Sequence, residues 1–180
     1  MIEMKQEFTI TAYSENNVGL LHRIIVIFTK RKINIESFTA SESEFEGIHR
    51  FTIAIHETEE TARKVAKQIE KQVEVLRASY YKKEEVVQQE MALYKLPTES
   101  LAHGGKVEQI VRHHNARILT VERDFTIIEK TGFKRETKSL FDELQPYGIK
   151  EFVRSGRIAV SREDHGIDKL VTNFEQIETH

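Results

Sequence analysis

The chain has 180 residues and a mass of 21.0 kDa, room for one domain or two small ones. Its 27 lysines and arginines nearly balance 29 aspartates and glutamates, and a net charge of −2 argues against a dedicated nucleic-acid binder, which carries a basic excess. The absence of cysteine excludes disulfides, thiolate metal sites, iron–sulfur clusters and cysteine nucleophiles.

The opening MIEMKQEFTI has no apolar core of signal-peptide length, and the richest apolar run, Ile24 to Phe28, is soon followed by Lys30-Arg31-Lys32. A cytoplasmic protein with no membrane span is expected. From Phe8 to Tyr13 apolar and polar residues alternate, which predicts a strand with one buried face. The polar turn Ser14 to Gly19 follows, with either Asn16 or Asn17 a candidate helix cap. Leu21, Ile24, Ile25 and Phe28 then fall at helical spacing. A second strand is expected from Ile33 and a third, paired with it as a hairpin, over Arg50 to Ile55. Thr58-Glu59-Glu60-Thr61 opens a second helix carrying Ala62, Val65, Ala66 and Ile69, and Val73 starts a fourth strand.

Strand, helix, strand, strand, helix, strand is the ferredoxin-like order. Four strands bury one face under two helices, so the other face must be polar or covered by something else. The charged break Lys82-Lys83-Glu84-Glu85 reads as a linker, after which the pattern returns more loosely. A strand at Met91 to Tyr94 is ended by Pro97, and Gly104-Gly105 precede a helical face of Val107, Ile110 and Val111. Strands are expected at Ile118 to Val121 and Phe125 to Ile128. A helix with Phe133, Leu140, Phe141 and Leu144 on one side is stopped by Pro146-Tyr147-Gly148, and one or two closing strands run through Phe152 and Ile158 to Val160. The expected fold is α+β, two ferredoxin-like βαββαβ domains over residues 1–82 and 83–165, with a polar tail over 166–180.

Between the first strand and helix, Asn16, Asn17 and Gly19 suit close approach of an anion such as a carboxylate to free helix N–H groups, and equally suit an ordinary capped turn. Asn34 at the entry to the second strand is open to the same two readings. His103 and His113 are too far apart for one helical turn, adjacent His113 and His114 point away from each other, and no His-x-x-x-His occurs, so no metal site is expected. Arg154-Ser155-Gly156-Arg157 puts two guanidiniums around a turn, able to take a phosphate or to remain solvated. No nucleophile–base pair, P-loop or G-x-G-x-x-G is present, so no catalytic residues are assigned.

Longer segments are more specific. Glu15-Asn16-Asn17-Val18-Gly19-Leu20-Leu21-His22-Arg23-Ile24 resembles the E-N-x-x-G-x-L-x-R-[IV] segment of the small regulatory subunits of acetolactate synthase. Lys32-Ile33-Asn34-Ile35-Glu36-Ser37-Phe38-Thr39 is similar to that family's N-I-E-S-[LF]-T segment, and Arg50 to Ile53, Gln68 to Leu76 and Arg154 to Gly156 match in order. The resemblance runs from about Phe8 to Arg162. It implies an N-terminal ACT domain that pairs between subunits and binds an amino acid at that interface. It also implies a noncatalytic role: activating a catalytic large subunit, on which thiamine diphosphate, magnesium and FAD are expected, and conferring feedback inhibition by a branched-chain amino acid, typically valine. No cofactor is implied on this chain. Carried over by position, Asn16 holds the ligand's polar end and the backbone near Gly19 to Leu21 its carboxylate. Asn34 and Ile35 come from the facing subunit, and Ala40 lies near the apolar side chain. Val18 and Leu20 complete the expected set. Leu20 and His22 stand where many relatives have Ala and Ser. The alternative is a free-standing ACT amino-acid sensor acting on another target.

Overall fold

The computed structural model describes residues 4–102 and 105–163. His103, Gly104 and the expected polar tail over 166–180 lie outside the described residues. The chain divides into two compact units, Met1–Val87 with Ala159–His180, and Gln88–Ile158.

The first unit runs β1 (Gln6–Glu15), α1 (Leu20–Lys30), β2 (Ile35–Glu42), β3 (Ile48–Glu57), α2 (Glu59–Glu70), β4 (Val75–Lys82). All pairings in its sheet are antiparallel and the order is β2-β3-β1-β4, the ferredoxin-like arrangement. Phe8, Ile10 and Ala12 of β1 and Ile53 and Ile55 of β3 pack against Ile24 and Phe28 of α1 and Val65 and Ile69 of α2. Thr58 caps α2 as its sequence suggests, its hydroxyl oxygen accepting from Thr61 N–H at 3.2 Å.

Three local expectations shift. The core stripe of α1 is Leu20, Ile24 and Phe28 with Ile27 beside it, whereas Leu21 and Ile25 are 43% and 41% exposed. The helix is rotated so that the larger cluster faces the sheet, leaving a second apolar stripe outside. The second strand begins at Ile35, because Ile33 is taken up in the turn after α1, where Lys32 has φ +56°. The fourth begins at Val75, since Val73 sits in the preceding turn and is 96% exposed.

The two edges of this sheet differ. On β4, Ala78 N–H donates to Glu70 Oε1 at 3.3 Å and Lys82 N–H to Glu85 Oε2 at 2.6 Å, so carboxylates occupy part of the edge that another strand would need. The face away from the helices carries buried Thr9, Thr11, Tyr13 and Thr52, polar and covered at once.

The second unit repeats the order: β5 (Val86–Leu96), α3 (Lys106–His113), β6 (Arg117–Val121), β7 (Thr126–Gly132), α4 (Lys134–Leu144), β8 (Glu151–Arg154), in a sheet ordered β6-β7-β5-β8. Its core joins Ala92, Tyr94 and Leu96 to Val107, Val111, Ile128, Leu140 and Leu144. Phe133 is not on the inner face of α4 but caps its start, with its N–H donating to Glu136 Oε2 at 2.7 Å. A last strand, β9 (Ile158–Ser161), pairs with β5.

Within the charged break Lys82–Glu85, Lys83–Glu85 forms a short 3-10 turn that stays with the first unit. Arg162 N–H donates to Glu85 O at 2.8 Å and Arg162 Nε to Glu84 O at 3.0 Å, while Ala159 packs with Tyr81 and Val86. These contacts move the division to Val87/Gln88 and return Ala159–Glu163 to the first unit, where the sequence suggested a cut at Lys82 and a second domain reaching 165.

Candidate functional site

The turn Glu15–Gly19 sits at the end of β1, held from both sides. Glu15 N–H donates to Glu74 O at 3.0 Å, and Asn16 N–H donates to Gly47 O, in the β2–β3 turn, at 3.1 Å. Arg23 pairs with Glu74 at 2.5 Å, and the Glu74 carboxyl is held below its ordinary value by its own backbone N–H and by that guanidinium. The sequence alone does not assign Arg23, Gly47 or Glu74 to the site. Nothing in a linear pattern shows that the β2–β3 turn and the residue before β4 meet this loop.

Neither asparagine caps α1. The cap is Gly19, at φ +93°, ψ −12°, with no side-chain bond to the helix. A glycine adopts that left-handed conformation without the Cβ penalty, and here a Cβ would meet nothing within 4 Å. Leu20 N–H reaches Asn17 O at 3.3 Å and Arg23 N–H reaches Gly19 O at 3.2 Å. By helix geometry the N–H groups of Leu21 and His22, between them, have no intrahelical acceptor. The positive end of the helix dipole and two donors without an intrahelical acceptor thus come together at this turn, the kind of group a carboxylate binds.

Five of the expected residues share this turn: Asn16, Val18, Gly19, Leu20 and Leu21. Asn16 and Val18 are exposed, Val18 fully. Leu20 points inward and is 1% exposed, so its bulk fills the core and only its backbone lies at the turn. The other three are elsewhere. Ile35 pairs with Ile55, which pairs with Phe8 near the start of β1, whereas Glu42 pairs with His49, which pairs with Ser14 near its end. The six-residue step from Phe8 to Ser14 spans roughly 20 Å. Asn34 and Ile35 are thus at the far end of the sheet from the Asn16–Gly19 turn of the same chain. Ala40, opposite Phe51 and level with Ala12, lies closer to the turn on the exposed strand β2.

The remaining candidates are structural. Arg154 pairs with Glu90 at 3.3 Å, while Met91 N–H donates to Ser155 Oγ at 2.9 Å and Ser155 N–H to Met91 O at 2.8 Å, so the arginine turn closes the β5–β8 pairing. His113 and His114 do not diverge: their rings meet edge-on at 5.3 Å because the helix ends between them, and His114 bonds Glu143 at 2.8 Å. Among the described residues no group of three or more His, Asp or Glu is placed to hold a metal ion. No helix among them is long and apolar enough to cross a membrane.

A βαββαβ sheet of this order, with an open helix start at the end of its first strand, defines an ACT-type ferredoxin-like domain, here followed by a second ferredoxin-like unit. Residues 10–77 match the sequence model of the acetohydroxyacid synthase small subunit-like ACT domain, and residues 89–163 match that of the small subunit of acetolactate synthase. The acetolactate synthase small subunit of Bacillus subtilis is 35% identical over 160 residues, covering 88% of this chain and 91% of that protein. A probable acetolactate synthase small subunit of Archaeoglobus fulgidus is 33% identical, covering 86% and 96%. The crystal structure of the acetolactate synthase small subunit from Thermotoga maritima superposes with a TM-score of 0.79 at 28% identity, covering 88% of this chain and 99% of that one. The chain belongs to the family of acetolactate synthase small subunits.

Proposed function

We propose that the chain is the noncatalytic, regulatory subunit of a cytoplasmic acetolactate synthase. It activates a catalytic large subunit, which carries thiamine diphosphate, magnesium and FAD, and it transmits feedback inhibition by a branched-chain amino acid, valine first among them. The observation that carries the effector reading is the left-handed Gly19 at the start of α1, beside which the N–H groups of Leu21 and His22 have no intrahelical acceptor. The effector's carboxylate binds there and Asn16 takes its amino end.

The site needs a second copy of the chain. Asn34 and Ile35 lie too far from the turn in one protomer, but β2 is an edge strand. Two β2 strands continuing the sheet antiparallel across a twofold axis bring the start of one beside the end of the other, and so Asn34 and Ile35 of a second copy beside the turn of the first. The exposed stripe Val18, Leu21 and Ile25 supplies apolar surface near that turn for the second copy to cover. Partial occupation of the β4 edge by Glu70 and Glu85 favours β2 as the pairing edge.

The test is reconstitution. Purified chain is mixed with the catalytic subunit of the same organism, and acetolactate formation is followed with and without valine, leucine and isoleucine. Activation plus inhibition by one of them is expected. A chain that neither binds nor activates that subunit, yet binds an amino acid, is instead a free-standing sensor.

A further inference from the structure

The polar face of the first sheet holds a cavity of about 180 Å³, and every residue lining it belongs to the first unit. The strand register builds it. Tyr13 pairs with Arg50 on one side and Arg77 on the other, giving a row Arg–Tyr–Arg across β3, β1 and β4. The row two residues back along β1 is Thr52–Thr11–Ser79, three hydroxyls on the same face. Arg50, Arg77, Tyr13, Thr11 and Ser79 all line the cavity, and residues of β9 close one side of it.

Arg50 is the informative member. One guanidinium nitrogen, Nη2, donates to Ala159 O at 2.6 Å, and the group lies 5.2 Å from the centre of the Tyr13 ring. Its Nε is buried and has no acceptor among the described residues. A buried guanidinium N–H left unpaired is costly, and such an atom marks a place where a partner is missing. Both arginines are half-buried, whereas the acids that line the cavity among the described residues, Glu44 and Glu163, are exposed, the Glu44 charge still reaching Tyr13. Burial also raises the Tyr13 hydroxyl above its ordinary value, keeping it a neutral donor at physiological pH.

We propose that this cavity is a binding subsite for a small oxyanion of the carboxylate or phosphate class. It is held by the planar forks of Arg50 and Arg77 and by the hydroxyls of Tyr13, Thr11 and Ser79. It lies on the opposite side of the sheet from α1 and does not depend on the effector reading of the Asn16–Leu21 turn. Through Arg50 the ligand also touches the contact that holds Ala159 to the first unit.

The test is calorimetric titration of the full chain with inorganic phosphate and, separately, with sodium acetate at constant ionic strength set by chloride. Saturable binding of one or both, one per chain, is expected, and the stronger of the two identifies the ligand class. Arg77→Gln, which leaves the Arg50–Ala159 contact intact, should weaken it about tenfold or more, as loss of one charge-assisted contact implies. Arg50→Lys, which keeps the charge and loses Nε, should weaken it in the same direction. Gly19→Asp should leave it unchanged. The proposal is overturned by any of three results: neither anion saturating, binding unaltered in Arg77→Gln, or phosphate binding abolished by Gly19→Asp, which would place the anion at the turn.

Discussion

Replacing Gly19 by aspartate acts on the proposed effector site through two separable effects. The first is on folding. At φ +93° a side chain is strained by about 1–2 kcal/mol, but nothing lies within 4 Å of the new Cβ, so no clash is added. A carboxylate at the helix start recovers about 0.3–1 kcal/mol from the dipole. The variant should therefore lose only about 1 kcal/mol of stability, read as a small shift in a urea midpoint. The second effect is on the ligand. The new carboxylate competes for the N–H groups of Leu21 and His22 and repels a ligand carboxylate beside it. Losing one charge-assisted bond costs about 1.5–3 kcal/mol, which weakens valine binding roughly ten- to hundredfold. Gly19→Ala carries the strain without the charge and separates the two. The assay is the valine inhibition curve of the reconstituted enzyme beside calorimetry of valine on the chain alone. Gly19→Asp should still activate the catalytic subunit but resist inhibition, and Asn16→Ala should do so more weakly. If both variants fold, activate and keep the parent's sensitivity, the turn is only a helix start.

Further outcomes follow from particular contacts. Leu20→Ala should cost about 2–5 kcal/mol in denaturant unfolding, since Leu20 is core, whereas exposed Leu21→Ala should cost far less and instead weaken self-association in sedimentation experiments. Tyr94→Phe should cost about 0.5–1.5 kcal/mol, the net worth of the buried hydroxyl's bond to Thr137 O at 2.6 Å, since that carbonyl keeps its place in the α4 hydrogen-bond ladder. The Glu129 carboxyl is held below its ordinary value first by Thr131 Oγ1, donating at 2.7 Å, and then by Arg117. Its contribution to stability is thus present above the ordinary glutamate range and lost as pH falls through its lowered folded value. Glu129→Gln should flatten that part of the acid limb, and parallel urea midpoints for variant and parent across the acid range would refute this. Valine should raise the dimer fraction at low protein concentration, because a site built from two chains binds only the assembled form.

The element order of the first unit was legible because it obeys simple periods, two in β1, from Phe8 to Tyr13, and near 3.6 in α2, from Ala62 to Ile69; the second unit follows the same order with looser periods. Phase was harder. Leu21, Ile24, Ile25 and Phe28 form as regular a stripe as Leu20, Ile24, Ile27 and Phe28, and periodicity alone does not say which faces the sheet. The turn before α1 was legible at Gly19 because few residue types tolerate its left-handed conformation. The supports at Gly47 and Glu74 were not, since they reach the turn only through tertiary pairing of residues some 30 and 60 positions away. The return of Ala159 to the first unit was hidden for the same reason: it depends on Arg50, more than a hundred residues earlier.

The second unit repeats the topology with a different connection into its first helix. It has the same sheet order, and its first helix also begins at a left-handed glycine without a side-chain cap, Gly105 at φ +70°. What differs is the chain leading to that helix. In the first unit four residues, Asn16 to Gly19, join strand to helix. In the second the connection is longer and includes a 3-10 turn, Thr98–Ala102, in which Ser100 N–H bonds Pro97 O and Ser100 Oγ donates to Tyr147 O at 2.8 Å. That turn is tied to the residues that end α4, and Ser100 is buried. The segment consolidates its own unit, whereas among the described residues the Asn16–Gly19 turn is bonded through its backbone and its four residues are exposed. One frame used twice thus carries an open helix start in one copy and a bound-down connection in the other, and the difference lies in a few loop residues rather than in the sheet.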